Sequence, residues 1–249
     1  MSAEALAWAL GLTGVAVAAF VKGAVGFGYP LIATPLLALA TDVRMAVAVL
    51  LVPNILMDAF QMARRPGLVA ALRRHASLIV MGVLGTVVGT QFLALVSTRA
   101  LFVMLGGTVL AFVALSLARP EWRISAAMER PLAPVVGLVA GTLGGLTNAP
   151  AVAVTPYYYA LGLPKAEFVR VLSATFLTFK VTQLAAAWQV GLLDARVWLP
   201  WVGATVVSLG AFRLGLGAQD RVPQATFNRA VLILLALVGL AMLGRALRA

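Results

Sequence analysis

Ten apolar runs, each bounded by charges or turn residues, decide what this chain can fold into. They lie at 5–22, 24–40, 44–63, 75–96, 99–118, 131–149, 150–163, 166–190, 197–217 and 226–247. A helix needs ~20 apolar residues to cross the ~30 Å hydrocarbon layer of a bilayer, and most of these runs have about that length. Of the 249 residues, 62% are hydrophobic and 11% charged, where a soluble domain has ~45–50% and ~25%. Water cannot be the solvent for most of this surface. Residues 1–249 therefore read as a single membrane domain of an all-α, polytopic integral membrane protein. The first run follows an acidic residue, Glu4, not a basic stretch, and is expected to be a retained helix, not a cleaved signal.

The 19 Lys and Arg against 8 Asp and Glu give a net charge of +11. In a soluble protein that would point to nucleic acid. Here the basic residues sit at the ends of apolar runs, where the positive-inside rule and anionic headgroups account for them, so the expected partner is the lipid bilayer and no nucleic acid. Cysteine is absent, which excludes disulfides, thiolate catalysis, iron–sulfur clusters and Cys-ligated zinc. The single histidine, His75, cannot build a His-rich metal site and is expected at the membrane interface. No Walker motif occurs, so neither a metal nor a cofactor is expected.

The charged break at 119–130 divides the runs five and five, giving halves 1–118 and 131–249 joined by a connector expected in the cytoplasm. A duplication shows across it. Gly23-Ala24-Val25-Gly26 matches Gly141-Thr142-Leu143-Gly144, Thr34-Pro35 matches Thr155-Pro156, and the register continues through Arg44 with Lys165 and Asn54 with Thr175. Five crossings per half make the halves inverted repeats, because an odd number reverses the second copy. With both termini outside, 13 basic residues fall on the cytoplasmic side (Lys22, Arg64, Arg65, Arg73, Arg74, Arg119, Arg123, Arg130, Lys165, Arg170, Arg213, Arg221, Arg229) against 5 outside (Arg44, Arg99, Arg196, Arg245, Arg248). An eight-crossing scheme, with 24–40 and 150–163 re-entrant and both termini inside, gives only 10 to 8.

Two Gly/Pro-rich stretches, 23–30 and 141–150, occupy corresponding places. Interrupted backbone at membrane depth is tolerated only where it is buried in protein or lines a wet cavity, and paired interruptions point to a transporter's binding site. A helix restarting there presents unpaired N–H groups and the positive end of its dipole, which attract anions. Gly26, Gly28, Tyr29, Pro30, Thr147, Asn148 and Pro150 are candidate site residues on this ground. The alternative use of such glycines is close helix packing.

The run from Phe20 to Leu37, with its Gly23-x-x-Gly26-x-Gly28 core followed by Pro30-Leu31, resembles the first signature of the sulfite exporter TauE/SafE family, and Gly141 to Pro156 echoes it. The second copy departs from the family's usual glycines with Leu146-Thr147-Asn148-Ala149-Pro150. The resemblance implies a permease for sulfite, a sulfonate or a related organic anion, in a bacterial inner (cytoplasmic) membrane.

Polar residues inside apolar runs are costly and by default functional. Asn54, Asp58 and Gln61 share one helical stripe, and Thr175, Lys180 and Gln183 lie in the corresponding run of the second half. All six join the candidate site. Lys180 is too deep to snorkel. Two readings of it stand: a structural ion pair with Asp58, or a cation that binds a small anionic substrate while Asp58 exchanges protons. Tyr157, Tyr158 and Tyr159 are expected to anchor at the interface. The expected activity is secondary transport, with a homodimer compatible with the sequence. The rivals are a non-transporting assembly or sensor protein, and an intramembrane enzyme, which the scarcity of deep acids and bases disfavours.

Overall fold

The computed structural model describes residues 3–63, 68–118, 123–218 and 224–248. It is helical, with no strand among the described residues: α1 (Ala3–Val25), α2 (Tyr29–Ala40), α3 (Val43–Ala63), α4 (Leu68–Arg74), α5 (Ala76–Leu95), α6 (Thr98–Ala118), α7 (Ala126–Thr147), α8 (Ala151–Ala160), α9 (Lys165–Gln189), α10 (Trp198–Ala218) and α11 (Gln224–Ala246). Arg64, Arg65, Arg119 and Arg221 lie outside the described residues, as does part of the connector 119–130.

Two of the apolar runs yield much shorter helices than their length suggests. With 12 residues in α2 and 10 in α8, a rise of ~1.5 Å per residue gives about 18 and 15 Å, well short of the ~30 Å hydrocarbon layer. Each half therefore runs long, short, long, long, long, with α4 as an extra turn in the first. The cause is local. Gly26 and Gly28 hold φ of 101° and 99°, and Asn148 holds 65°, values that stop a right-handed helix. After its break α2 folds back along α1, setting Gly11 against Leu37 and Ala40 and Gly14 against Leu36.

The connections sort to two ends of the bundle. At one, Arg44 donates to the carbonyl oxygens of Leu93, at 2.9 Å, and of Val96, while Arg245 donates to Leu39 O at 2.8 Å. At the other, Arg74 pairs with Glu129 at 3.4 Å and Glu167 at 3.7 Å. Packing partners exchange when the halves are exchanged: α1 packs on α10 as α7 does on α5, α3 on α10 as α9 on α5, and α2 on α11 as α8 on α6, while α3 meets α9 and α6 meets α11.

Small residues make the closest of these contacts, because without a hydrophobic driving force membrane helices associate by tight packing. A Cβ on Gly141 would lie 2.0 Å from Gly82 O, and one on Gly23 would lie 2.3 Å from Phe212 O. Gly23 and Gly141, matched to each other across the repeat, are thus seams of α1–α10 and α7–α5. Large apolar side chains such as Leu95, Leu199 and Leu214 point outward, as a lipid-facing surface requires. The helices α3, α5, α6, α10 and most of α1 are long and apolar enough to cross a membrane.

Candidate functional site

The polar interior gathers at the two breaks. Lys22 lies in the last turn of α1, where Gly26 N–H donates to its carbonyl at 2.7 Å. Its ammonium is buried and donates to Asn54 Oδ1 at 2.7 Å and Asp58 Oδ1 at 2.6 Å, both on α3. Lys22 was expected among the cytoplasmic interface charges, and the structure corrects this. It also gives Asp58 a partner other than Lys180. The signal was in the sequence: a residue one turn before a break at membrane depth must lie at that depth too.

The second half holds its lysine without a carboxylate. Lys180 Nζ donates to Asn148 Oδ1 at the break and to Gln183 Oε1 at 2.6 Å. Both amides are oriented by their other ends. Asn148 Nδ2 donates to Thr34 Oγ1 at 2.9 Å, and Gln183 Nε2 donates to the Gly144 and Gly145 carbonyls at 3.0 Å each. Both carbonyls belong to the last turn of α7, where the helix ladder ends, and Gly144 O also accepts from Asn148 N–H at 2.9 Å. Among the described residues no carboxylate lies within ion-pairing distance of Lys180.

Two hydrogen bonds and an electrostatic interaction join the halves here. Asn148 reaches α2 at Thr34, beyond the helix's first turn. Ser173 Oγ donates to Gln61 Oε1 at 3.3 Å, and the charges of Asp58 and Lys22 act on Lys180. Gly26 faces Gln61 and Val169, so the first break runs between α3 and α9. The sequence-based set is brought together in part. Asn54 and Asp58 gather on Lys22, Asn148 and Gln183 on Lys180, and Gln61 on Ser173, while Gly26, Gly28 and Pro150 stand at the two breaks. Pro30 belongs to the first turn of α2. Tyr29 is directed elsewhere, its hydroxyl sharing a hydrogen bond with Ser208 of α10 at 2.9 Å. Thr147 donates back to Leu143 O at 2.8 Å, and Thr175 to Val171 O at 2.9 Å while pairing with Tyr158 OH at 2.9 Å. Lys22, Thr34 and Ser173 are members that sequence reasoning missed.

His75, at the start of α5, is buried in the protein and stands edge-on to Tyr158 with ring centroids 5.0 Å apart. Burial first, then the Arg74 guanidinium, hold its pKa below the ordinary histidine value, against the carboxylates of Glu129 and Glu167. Of the three tyrosines, Tyr159 is exposed, Tyr157 donates to Glu129 O at 3.2 Å, and Tyr158 is buried. The described residues hold no group of three or more His, Cys, Asp or Glu able to bind a metal. A cavity of about 600 Å³ opens near the Arg74 end, lined mainly by apolar side chains of α1, α6 and α11, with Arg123 and the Gly28 backbone in its wall.

A multi-pass helical bundle with a buried polar cluster at two paired helix breaks has the build of a membrane transporter. The chain belongs to the sulfite exporter TauE/SafE family, whose sequence model matches residues 10–242. This is a family of membrane transporters of sulfite and related anions, not of enzymes. No curated protein and no solved structure matches the chain.

Proposed function

We propose that this protein is a secondary transporter carrying sulfite, a sulfonate or a related organic anion across the inner (cytoplasmic) membrane, with Lys180 as the anion's principal ligand. One observation carries the reading: Lys180 is buried among neutral amides while Lys22 has taken the nearby carboxylate. Two ammonium groups against one carboxylate leave one positive charge uncompensated. A buried unpaired charge is strongly disfavoured, and an anion bound there removes the penalty. The N-termini of α2 and α8 add further attraction.

The path and its asymmetry follow. The end bearing Arg74 and Arg123 is the cytoplasmic side under the positive-inside rule, so the cavity bordered by Gly28 is a cytoplasmic vestibule. The two halves act as inverted repeats, a reading supported by their exchanged packing partners and by α1 and α7 starting at opposite ends. Rocking of one half against the other would expose the site alternately. Asp58 is the carboxylate that would couple transport to protons.

The test is flux of sulfite, sulfonates and carboxylates into proteoliposomes with and without a pH gradient, for wild type and Lys180→Gln. Wild type should move sulfite or a sulfonate, and Lys180→Gln should move none. Absence of flux across the whole panel would favour the assembly or sensor alternative.

A further inference from the structure

Asn54 and Asp58 stand four residues apart on α3, one turn from each other, and hold the same ammonium. An ammonium only donates. Lys22 therefore fixes the Asn54 amide with its oxygen inward and its Nδ2 turned away, and it occupies only Oδ1 of Asp58. The remaining two atoms, Asn54 Nδ2 and Asp58 Oδ2, are fully buried and have no hydrogen-bond partner among the described residues. One is a donor and the other an acceptor, one helical turn apart on α3, on residues that share the Lys22 ammonium, which uses two of its three N–H groups on them.

That pattern is specific about what would satisfy it. An anion offering only acceptor oxygens, such as a sulfonate or the sulfite dianion, can take hydrogen bonds from Asn54 and Lys180 but sets lone pairs against Asp58. A monoanion with its own hydroxyl satisfies all three. Charge points the same way, since Lys22 and Lys180 against Asp58 leave a single positive charge, matched by a monoanion and exceeded by a dianion. Buried polar groups left unpaired are what give binding sites their sharpest discrimination. We infer that the site selects a protonated monoanion, hydrogen sulfite in its hydroxyl form, donating its O–H to Asp58 Oδ2 and accepting from Asn54 Nδ2 and Lys180. This rests on the anion-transport reading of the same site.

The experiment is binding of sulfite and of methanesulfonate to the purified protein, below and above the pH at which hydrogen sulfite loses its proton. Methanesulfonate has no proton to lose, so it reports titration of the protein itself; the charged groups acting on Asp58 are Lys22 and Lys180. At the lower pH sulfite should bind about 10-fold more tightly, the scale of one hydrogen bond to a charged group. Above that pH the preference should vanish as sulfite becomes a dianion. The double variant Lys22→Gln/Asp58→Asn, charge-balanced and close in shape, should lose the preference at both pH values while remaining folded by thermal unfolding. Equal affinities in wild type at the lower pH, a sulfite preference that persists as the dianion forms, or a preference retained in the double variant would each overturn the inference. Failure of wild type to bind either anion would overturn the transport reading beneath it.

Discussion

The two halves bury one lysine each and treat it in opposite ways. Lys22 meets a carboxylate at 2.6 Å, whereas among the described residues Lys180 donates to the amide oxygens of Asn148 and Gln183. A balanced buried pair is neutral to its surroundings and stabilises little beyond a well-packed apolar pair, though removing one partner is costly. An unbalanced ammonium keeps a field that an anion can cancel. The two halves thus hold their lysines by different chemistry: one is ion-paired across α1 and α3, and the other is held by amide oxygens, which is the difference the proposed anion site rests on.

The largest expected effect tests the brace. Asp58→Asn should destabilise the protein by about 3–5 kcal/mol, because it strands Lys22 in the interior. Lys22→Gln/Asp58→Asn should recover most of that loss, read as thermal unfolding in detergent. If Asp58→Asn unfolded no earlier than wild type, the two lysines would not differ in the way described.

The next contrast is between the two kinds of glycine. Gly141→Val drives a side chain into the Gly82 backbone, an overpacking expected to cost at least about 1–3 kcal/mol. Gly28→Ala would meet only Val21, at 3.8 Å, so its cost is the backbone strain of a positive φ, about 1–2 kcal/mol. Gly141→Val should therefore lower the melting temperature more, while Gly28→Ala should impair flux more than its stability change explains.

The smallest effect lies where the halves touch at His75 and Tyr158. The folded-state pKa of His75 is depressed, so the unfolded chain binds more protons once the pH falls below ~6.5. Stability should then fall with pH through the window between the ordinary and the lowered value, and His75→Gln should flatten that slope. A slope unchanged by the substitution would mean that His75 is not held neutral.

Much of the fold was legible because a bilayer imposes a length on apolar runs and confines charge to their ends. The positions of the breaks were legible too, since glycine and proline announce them. What sequence could not separate was the use of each glycine. Gly23 and Gly26 stand three residues apart in one motif, yet one is a packing contact with α10 and the other a positive-φ turn, a difference set by the neighbouring helix. Lys22 was misread for a related reason. It ends an apolar run, where most lysines reach the interface, but α3 brings Asn54 and Asp58 to it. Tyr29 illustrates the reverse: it sits beside the break, but helical geometry turns its hydroxyl toward Ser208.

Sulfite binding to purified Lys180→Gln, set beside wild type and the Lys22→Gln/Asp58→Asn double variant, decides whether Lys180 is the anion's ligand. Lys180→Gln should lose roughly 2–5 kcal/mol of binding, the scale of truncating one partner of a buried charge pair, while the double variant still binds the anion. Wild-type affinity in a folded Lys180→Gln protein would contradict it.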